Sequence, residues 1–424
     1  MGLSPGNIYL RPKPSLMPPT GKRHVKREVL PLLRPAPPKL SLHTQDLAAI
    51  EASGTYSNYG PVNSQLEQEL VSTLFSVGEC LTVCNATIGL MLAIREVIGE
   101  DRPAERKYAL MPSFTFAATA HAALWCGLTP LFCDIDPETW LPSAESEYAL
   151  LKQYAGEIAV IVPYATFGNN LDLPRYTKTS QEFNVPVVVD AAASLGSLDD
   201  RGKTFGSGFQ WPIVFSMHAT KAFSVGEGGI IYCADRDRVA RLRCMGAFGF
   251  EQPRIATLAG LNSKLSEVSA LTALLQLRRF PELIRERCAV SGLYRSELSS
   301  SFVLQRVSGQ RQVRSFESVL LPAHPALNRA AILEKLGSMG VGAAHYFSPH
   351  LAEHPYFQRY AKQSSLRVTE DVAGRIISLP SLPEMTREDV RHVAGALQRA
   401  TLHATAGFST IRTRRDQLLH ANAS

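Results

Sequence analysis

The sequence predicts an open α/β fold with a mainly parallel sheet, followed by a smaller α+β unit. Two observations carry this expectation. Between residues 80 and 235, seven short apolar runs alternate with segments of helical spacing, the signature of strands crossed over by helices. Those runs are rich in Val and Ile and are closed by Pro, Gly or Asp, as befits strands buried on both faces. In chain order they are LTVCNA (81–86), YALMPS (108–113), PLFCDID (130–136), IAVIVPY (158–164), VPVVVD (185–190), PIVFSM (212–217) and GIIYCA (229–234). Helical candidates such as TIGLMLAIREVIGE and TFAATAHAALWCG fill the gaps, the second ending on glycine. Beyond about residue 280 the pattern changes. A long helical stretch from SKLSEVSA to YRSELSS leads to strands near VLQRV and SVLLP, then to helices at ALNRAAILEKLGSMG and TREDVRHVAGALQRATL. The expected division is an N-terminal arm (1–40), a large α/β domain (41–280), a small α+β domain (281–405) and a tail (406–424).

Composition bounds the rest. With 424 residues, 45% hydrophobic and 19% charged, the chain is long enough for two cored domains and too apolar for a disordered protein. No window approaches the apolar length of a membrane span. The arm carries eight Lys or Arg against one acid and is dense in proline. It reads as mobile, with contact to an anionic surface as the alternative; no nucleic-acid or membrane partner is expected. The arm lacks the apolar core of a signal peptide, and the seven scattered cysteines form no CxxC pair. A cytoplasmic protein with small buried thiols is expected.

Ligands of open parallel sheets sit at the carboxyl ends of strands, and the chemistry-bearing residues fall there. Thr87 stands where a strand turns into a helix, whose first amides favour phosphate; a plain helix cap is the simpler reading of that segment alone. Phe116, in PSFTFAAT, could stack on a flat ring, although core packing is the better reading of that segment in isolation. Asp190 closes a wholly apolar strand, so its carboxylate needs a partner: a protonated ring nitrogen, an arginine or a helix cap. Lys221 lies in FSMHATKAFSVGEGG, a lysine among small residues with Ser216 five positions before it. Restricted and partly desolvated, such a lysine has a lowered pKa and attacks carbonyls. Phosphate donors, a stacking ring, a buried carboxylate and a lysine together describe a pyridoxal phosphate (PLP) site.

With these motifs in place, the sequence resembles the DegT/DnrJ/EryC1/StrS sugar aminotransferases, a family of fold-type I PLP enzymes with a seven-stranded sheet. The resemblance runs from about residue 40 to 400 through SNYGPVNSQLE, PSFTFAATAHAALWCGLTPLFCDIDPETW, VVVDAAASLG, FSMHATKAFSVGEGG, GLNSKLSEVSALTALLQL and ISLPSLPEMTREDV. It implies that Lys221 bonds the cofactor and that Asp190 partners its ring nitrogen. It further implies that Phe116 stacks on the ring, and that Thr87, the Ala86 backbone and Ser216 hold the phosphate. Asn262 matches an asparagine that the family lends across a homodimer interface. Ala193 stands beside the ring where the family often has His or Gln, and Ala86 where it has glycine. The implied activity moves an amino group from L-glutamate, or glutamine, through the pyridoxamine phosphate form to a keto sugar, foremost a nucleotide-linked 4-keto-6-deoxyhexose. A cyclitol aminotransferase, a sugar dehydratase and a non-catalytic relative are the alternatives; Lys221 speaks against the last two.

Two signals are set aside. HLAEH (350–354) fits an H-x-x-E-H zinc pattern, but Pro349 and Pro355 leave little room for the helix that it requires. His218 and Glu227 flank the lysine and could touch substrate or serve the loop itself.

Overall fold

The computed structural model describes residues 29–402, apart from 326, together with residue 404. Most of the basic arm and the whole tail lie outside the described residues. All seven expected runs form strands: β1 (Glu79–Val83), β2 (Tyr108–Pro112), β3 (Thr129–Cys133), β4 (Ile158–Ile161), β5 (Val189–Asp190), β6 (Ile213–Ser216) and β7 (Gly229–Cys233). They are ordered β1-β7-β6-β5 and β4-β2-β3, and the two groups join through the parallel bridges Ile161–Val187 and Tyr164–Asp190. Only β7 runs against its neighbours. A two-residue strand, Lys362–Gln363, adds in parallel to the β3 edge.

Burial on both faces is visible residue by residue. Ile230 and Tyr232 enter one core cluster and Ile231 and Cys233 the other, as the two-residue period of a strand requires. On one side lie helices Ala86–Ile98, Ala117–Trp125 and Arg236–Met245, through Leu90, Ala123 and Leu242. On the other lie Pro61–Leu70, Ala144–Gln153 and the start of the long helix Glu267–Glu297, through Leu66, Leu150 and Phe280. The long helix continues through Pro281 and ends, at Val290 and Tyr294, in a further core. That core backs an antiparallel sheet of Val303–Leu304, Phe316–Leu320 and Ile376–Pro380, covered by Arg329–Ser338 and the helix at 387–402.

One expectation needs correction. Residues 30–34 were read as part of a mobile arm, yet they are docked. Leu30 bridges Val341, its N–H donating to Gly340 O at 2.9 Å, and Arg34 pairs with Glu384. The reason is local: LPLL is an apolar run inside a basic segment, and Leu30 packs against the C-terminal core. All seven cysteines are free. Among the described residues no helix is long and apolar enough to cross a membrane.

Candidate active site

The carboxyl ends of β1 and β6 flank the start of β7, so Val83, Gly229 and Ser216 lie side by side. Helix Ala86–Ile98 begins directly above this row. A Cβ on Gly229 would come within 2.8 Å of the Ala86 amide nitrogen, so only glycine permits the approach. The helix is capped by Asn85, whose extended backbone lets its Oδ1 accept from Ile88 N–H at 2.9 Å. Thr87 is therefore not the cap. Its hydroxyl sits in the first turn beside free helix amides, where an anion is favoured. Ser216 Oγ accepts from His218 N–H at 3.2 Å and keeps its own proton to donate.

Phe116 is not core either. It occupies the extended position just before helix Ala117–Trp125 and is 59% exposed. The same helix brings Thr119, which sequence reasoning missed, to Asp190. The Thr119 hydroxyl donates to Asp190 Oδ2 at 2.6 Å, and Ala192 N–H donates to Oδ1 at 3.1 Å. Because Thr119 spends its proton on the carboxylate, Thr115 donates to Thr119 across 3.0 Å, tying the Phe116 segment to Asp190. No arginine or lysine forms an ion pair with Asp190 among the described residues. Burial pushes its carboxyl up, and Thr119, Ala192 N–H and the Lys221 charge pull it partly back. A carboxylate 2% exposed without a cation is a site prepared for a positively charged partner.

Lys221 is carried by a closed loop after β6. Met217 N–H donates to Gly228 O, Ala219 N–H to Gly226 O, Lys221 N–H to His218 O and Val225 N–H to Met217 O, all within 3.0 Å. Gly226, at φ 138°, makes the turn that an L side chain would strain. His218 serves this loop, its Nδ1 lying 2.8 Å from Thr220 Oγ1 and its Nε2 3.6 Å from Glu227. Burial pushes the Lys221 ammonium down, opposed in part by Asp190. The shift is toward the neutral, nucleophilic amine.

Asn262 is exposed in the chain, in a segment whose next residue, Ser263, accepts from Cys84 N–H at 2.6 Å. Its side chain makes no contact with the residues above. Ala193 follows Asp190 in the turn beside Gly168. HLAEH forms a 3₁₀ turn, with His350 Nδ1 2.8 Å from Ser113 Oγ and His354 Nε2 3.2 Å from Pro349 O. The arrangement fits PLP at each end: an exposed aromatic face, a buried carboxylate awaiting a cation, helix amides with two hydroxyls, and a low-pKa lysine.

Thr119 gives a first prediction. Thr119→Val should destabilise the cofactor-free protein by roughly 1.5–3 kcal/mol at neutral pH, the worth of a hydrogen bond to a charged group. The loss should shrink as pH falls through the raised Asp190 pKa, where the wild-type carboxylate is itself protonated. Urea unfolding at several pH values measures both; equal stability of the two proteins at neutral pH would refute the assignment.

Comparison with known proteins shows the family and the fold. Residues 41–398 match the sequence model of the DegT/DnrJ/EryC1/StrS aminotransferase family. A Bacillus cereus protein assigned as a PLP-dependent aminotransferase superposes with a TM-score of 0.82 at 36% identity, over 88% of this chain and 100% of that one. Protein Rv3402c of Mycobacterium tuberculosis is 33% identical, over 88% of this chain and 90% of the relative. The dTDP-4-amino-4,6-dideoxy-D-glucose transaminase of Shigella dysenteriae is 28% identical, over 86% and 97%.

Proposed function

The chain belongs to the DegT/DnrJ/EryC1/StrS family of PLP-dependent sugar aminotransferases, and we propose that it transfers the amino group of L-glutamate to a nucleotide-linked 4-keto-6-deoxyhexose. The observation that carries the chemistry is a desolvated Lys221 facing electrostatically a buried Asp190 that forms no ion pair among the described residues, at adjoining strand ends. The sugar is proposed from the Shigella dysenteriae relative, whose name specifies the 4-amino sugar that corresponds to one of that class.

PLP supplies the carbonyl carbon that captures the donor's amine and the ring that takes up electrons from the deprotonated carbon. The chain's own groups do the rest. Thr87, the Ala86 backbone and Ser216 would hold the phosphate, Phe116 would cover one face of the ring, and Asp190 would hold the proton on the ring nitrogen. Lys221 would take the proton from the donor's α-carbon and deliver it to the carbon on the far side of the shared nitrogen, two atoms away, as base and then acid. The second half runs these steps in reverse on the keto sugar. The reading includes a cytoplasmic homodimer, with Asn262 reaching the partner's phosphate site from its exposed segment, and a division into large and small domains near residue 280. Ala193 would stand beside the ring with a short side chain where the family often has His or Gln.

The test is turnover. With PLP, L-glutamate and dTDP-4-keto-6-deoxyglucose, the protein should release 2-oxoglutarate in step with the amino sugar. Release driven only by a keto cyclitol would overturn the sugar assignment and leave the aminotransferase standing.

A further inference from the structure

We propose that Phe347 determines specificity, forming with Phe116 and Tyr164 an aromatic wall that accepts a methyl group on the sugar's exocyclic carbon and discriminates against a hydroxymethyl. The proposal rests on the nucleotide-sugar reading above and adds the residue that selects within it.

Phe347 comes from the C-terminal part of the chain but sits at the carboxyl ends of the central strands. Its ring centroid lies 6.3 Å from Phe116, 5.8 Å from Tyr164, 5.7 Å from Phe114 and 5.4 Å from Phe167, the last pair stacked. Tyr164 bridges Asp190, so this wall stands within one residue of the carboxylate assigned to the cofactor ring. The reacting carbon of the substrate must come to that ring. The sugar, rather than its nucleotide, is therefore what the wall can touch.

The wall is held rigidly. Ala344 and Ser378 exchange backbone hydrogen bonds at 3.1 and 2.8 Å. Arg329 donates to Ser348 Oγ at 2.7 Å. Beyond Phe347, Ser113 takes Leu351 N–H on its carbonyl at 3.1 Å and Ala352 N–H on its hydroxyl at 3.0 Å. Phe167, 4% exposed, is left-handed at φ 55°, a conformation costing a bulky residue about 1–3 kcal/mol and kept only where surroundings impose it. In that conformation its ring backs Phe347.

The wall is also poor in hydrogen-bonding groups. Phe347 and Phe116 carry none, the buried rings of Phe114 and Phe167 back them, and the Tyr164 hydroxyl accepts from the Phe167 backbone within a residue only 3% exposed. A methyl loses nothing against such a surface, whereas a hydroxyl loses its water without gaining a partner. Apolar pockets reject an added hydroxyl by about 100-fold at most, which sets the scale of the effect.

Titration calorimetry on the PLP-loaded protein tests this with two ligands, dTDP-4-amino-4,6-dideoxy-D-glucose and its 6-hydroxy counterpart. The wild type should prefer the first by roughly 10–100-fold. Phe347→Ser should shrink that ratio mainly by improving the 6-hydroxy ligand, and Phe347→Tyr, which keeps the ring and adds a donor, should do the same. Unchanged ratios in both variants, or a wild type that binds both ligands equally, would overturn the role of Phe347 while leaving the nucleotide-sugar reading intact. A wild type that binds neither would overturn that reading and the proposal with it.

Discussion

Replacing Lys221 with alanine is expected to cut transamination by at least roughly 10²–10⁴-fold, the usual worth of a positioned proton carrier, while leaving the fold unchanged. The loop does not depend on the side chain. It is closed by backbone bonds, including Lys221 N–H to His218 O, which alanine keeps. The substitution should even stabilise the cofactor-free protein over part of the pH range. Burial lowers the Lys221 pKa below its unfolded value of 10.5, so the native state binds its proton less readily than the unfolded chain. The resulting cost is fully present below the folded pKa and vanishes as pH rises through 10.5. The variant's advantage should therefore be largest at low pH and disappear in strong alkali. Release of 2-oxoglutarate and urea unfolding measure the two halves. Wild-type turnover in the variant would remove Lys221 from the mechanism.

Asp190→Asn should be nearly as damaging, by roughly 10²–10³-fold, the scale of losing one preorganised electrostatic group. Asparagine has the same shape and can still accept from Thr119, but it cannot hold a proton on the ring nitrogen by charge. Here too the stability effect has a sign opposite to the catalytic one. The folded pKa of Asp190 is raised above 3.8 by burial, so the ionised native carboxylate carries a cost that is fully present above the folded pKa and fades as pH falls through 3.8. The cofactor-free variant should thus be more stable than the wild type at neutral pH and lose that advantage in acid. A variant with full activity would mean that the ring nitrogen needs no anionic partner here.

Much of this was legible in the sequence, for identifiable reasons. Strands buried on both faces must be apolar at every position, so β1 to β7 stood out as continuous runs. Asp190 and Lys221 were conspicuous because a carboxylate ending an apolar strand and a lysine in a small-residue loop are each costly without a task. Asn85 is legible as the cap, since it directly precedes the helix and carries the preferred side chain. Phe116 gave no local clue to its exposure, because aromatics at strand ends are usually core.

Other features depend on long-range pairing that one chain of letters does not display. Thr119 meets Asp190 only because β2, β4 and β5 are neighbours. The reversal of β7 follows from its position between β1 and β6, not from its composition. Phe347 reaches Phe116 because the segment that pairs with Ser378 at Ala344 returns to Ser113, at the carboxyl end of β2, through Leu351. Phe167 adopts a left-handed backbone that its own side chain disfavours, so local preference argues against the observed conformation.

Whether Lys221 and Asp190 form one PLP-dependent amino-transfer site is tested most directly by the visible absorption of the protein loaded with PLP and freed of excess cofactor, before and after L-glutamate, beside Lys221→Ala. The wild type should show a yellow band that bleaches with glutamate, and the variant no such band. A wild type that takes no colour, or a variant that colours and bleaches identically, would contradict that assignment.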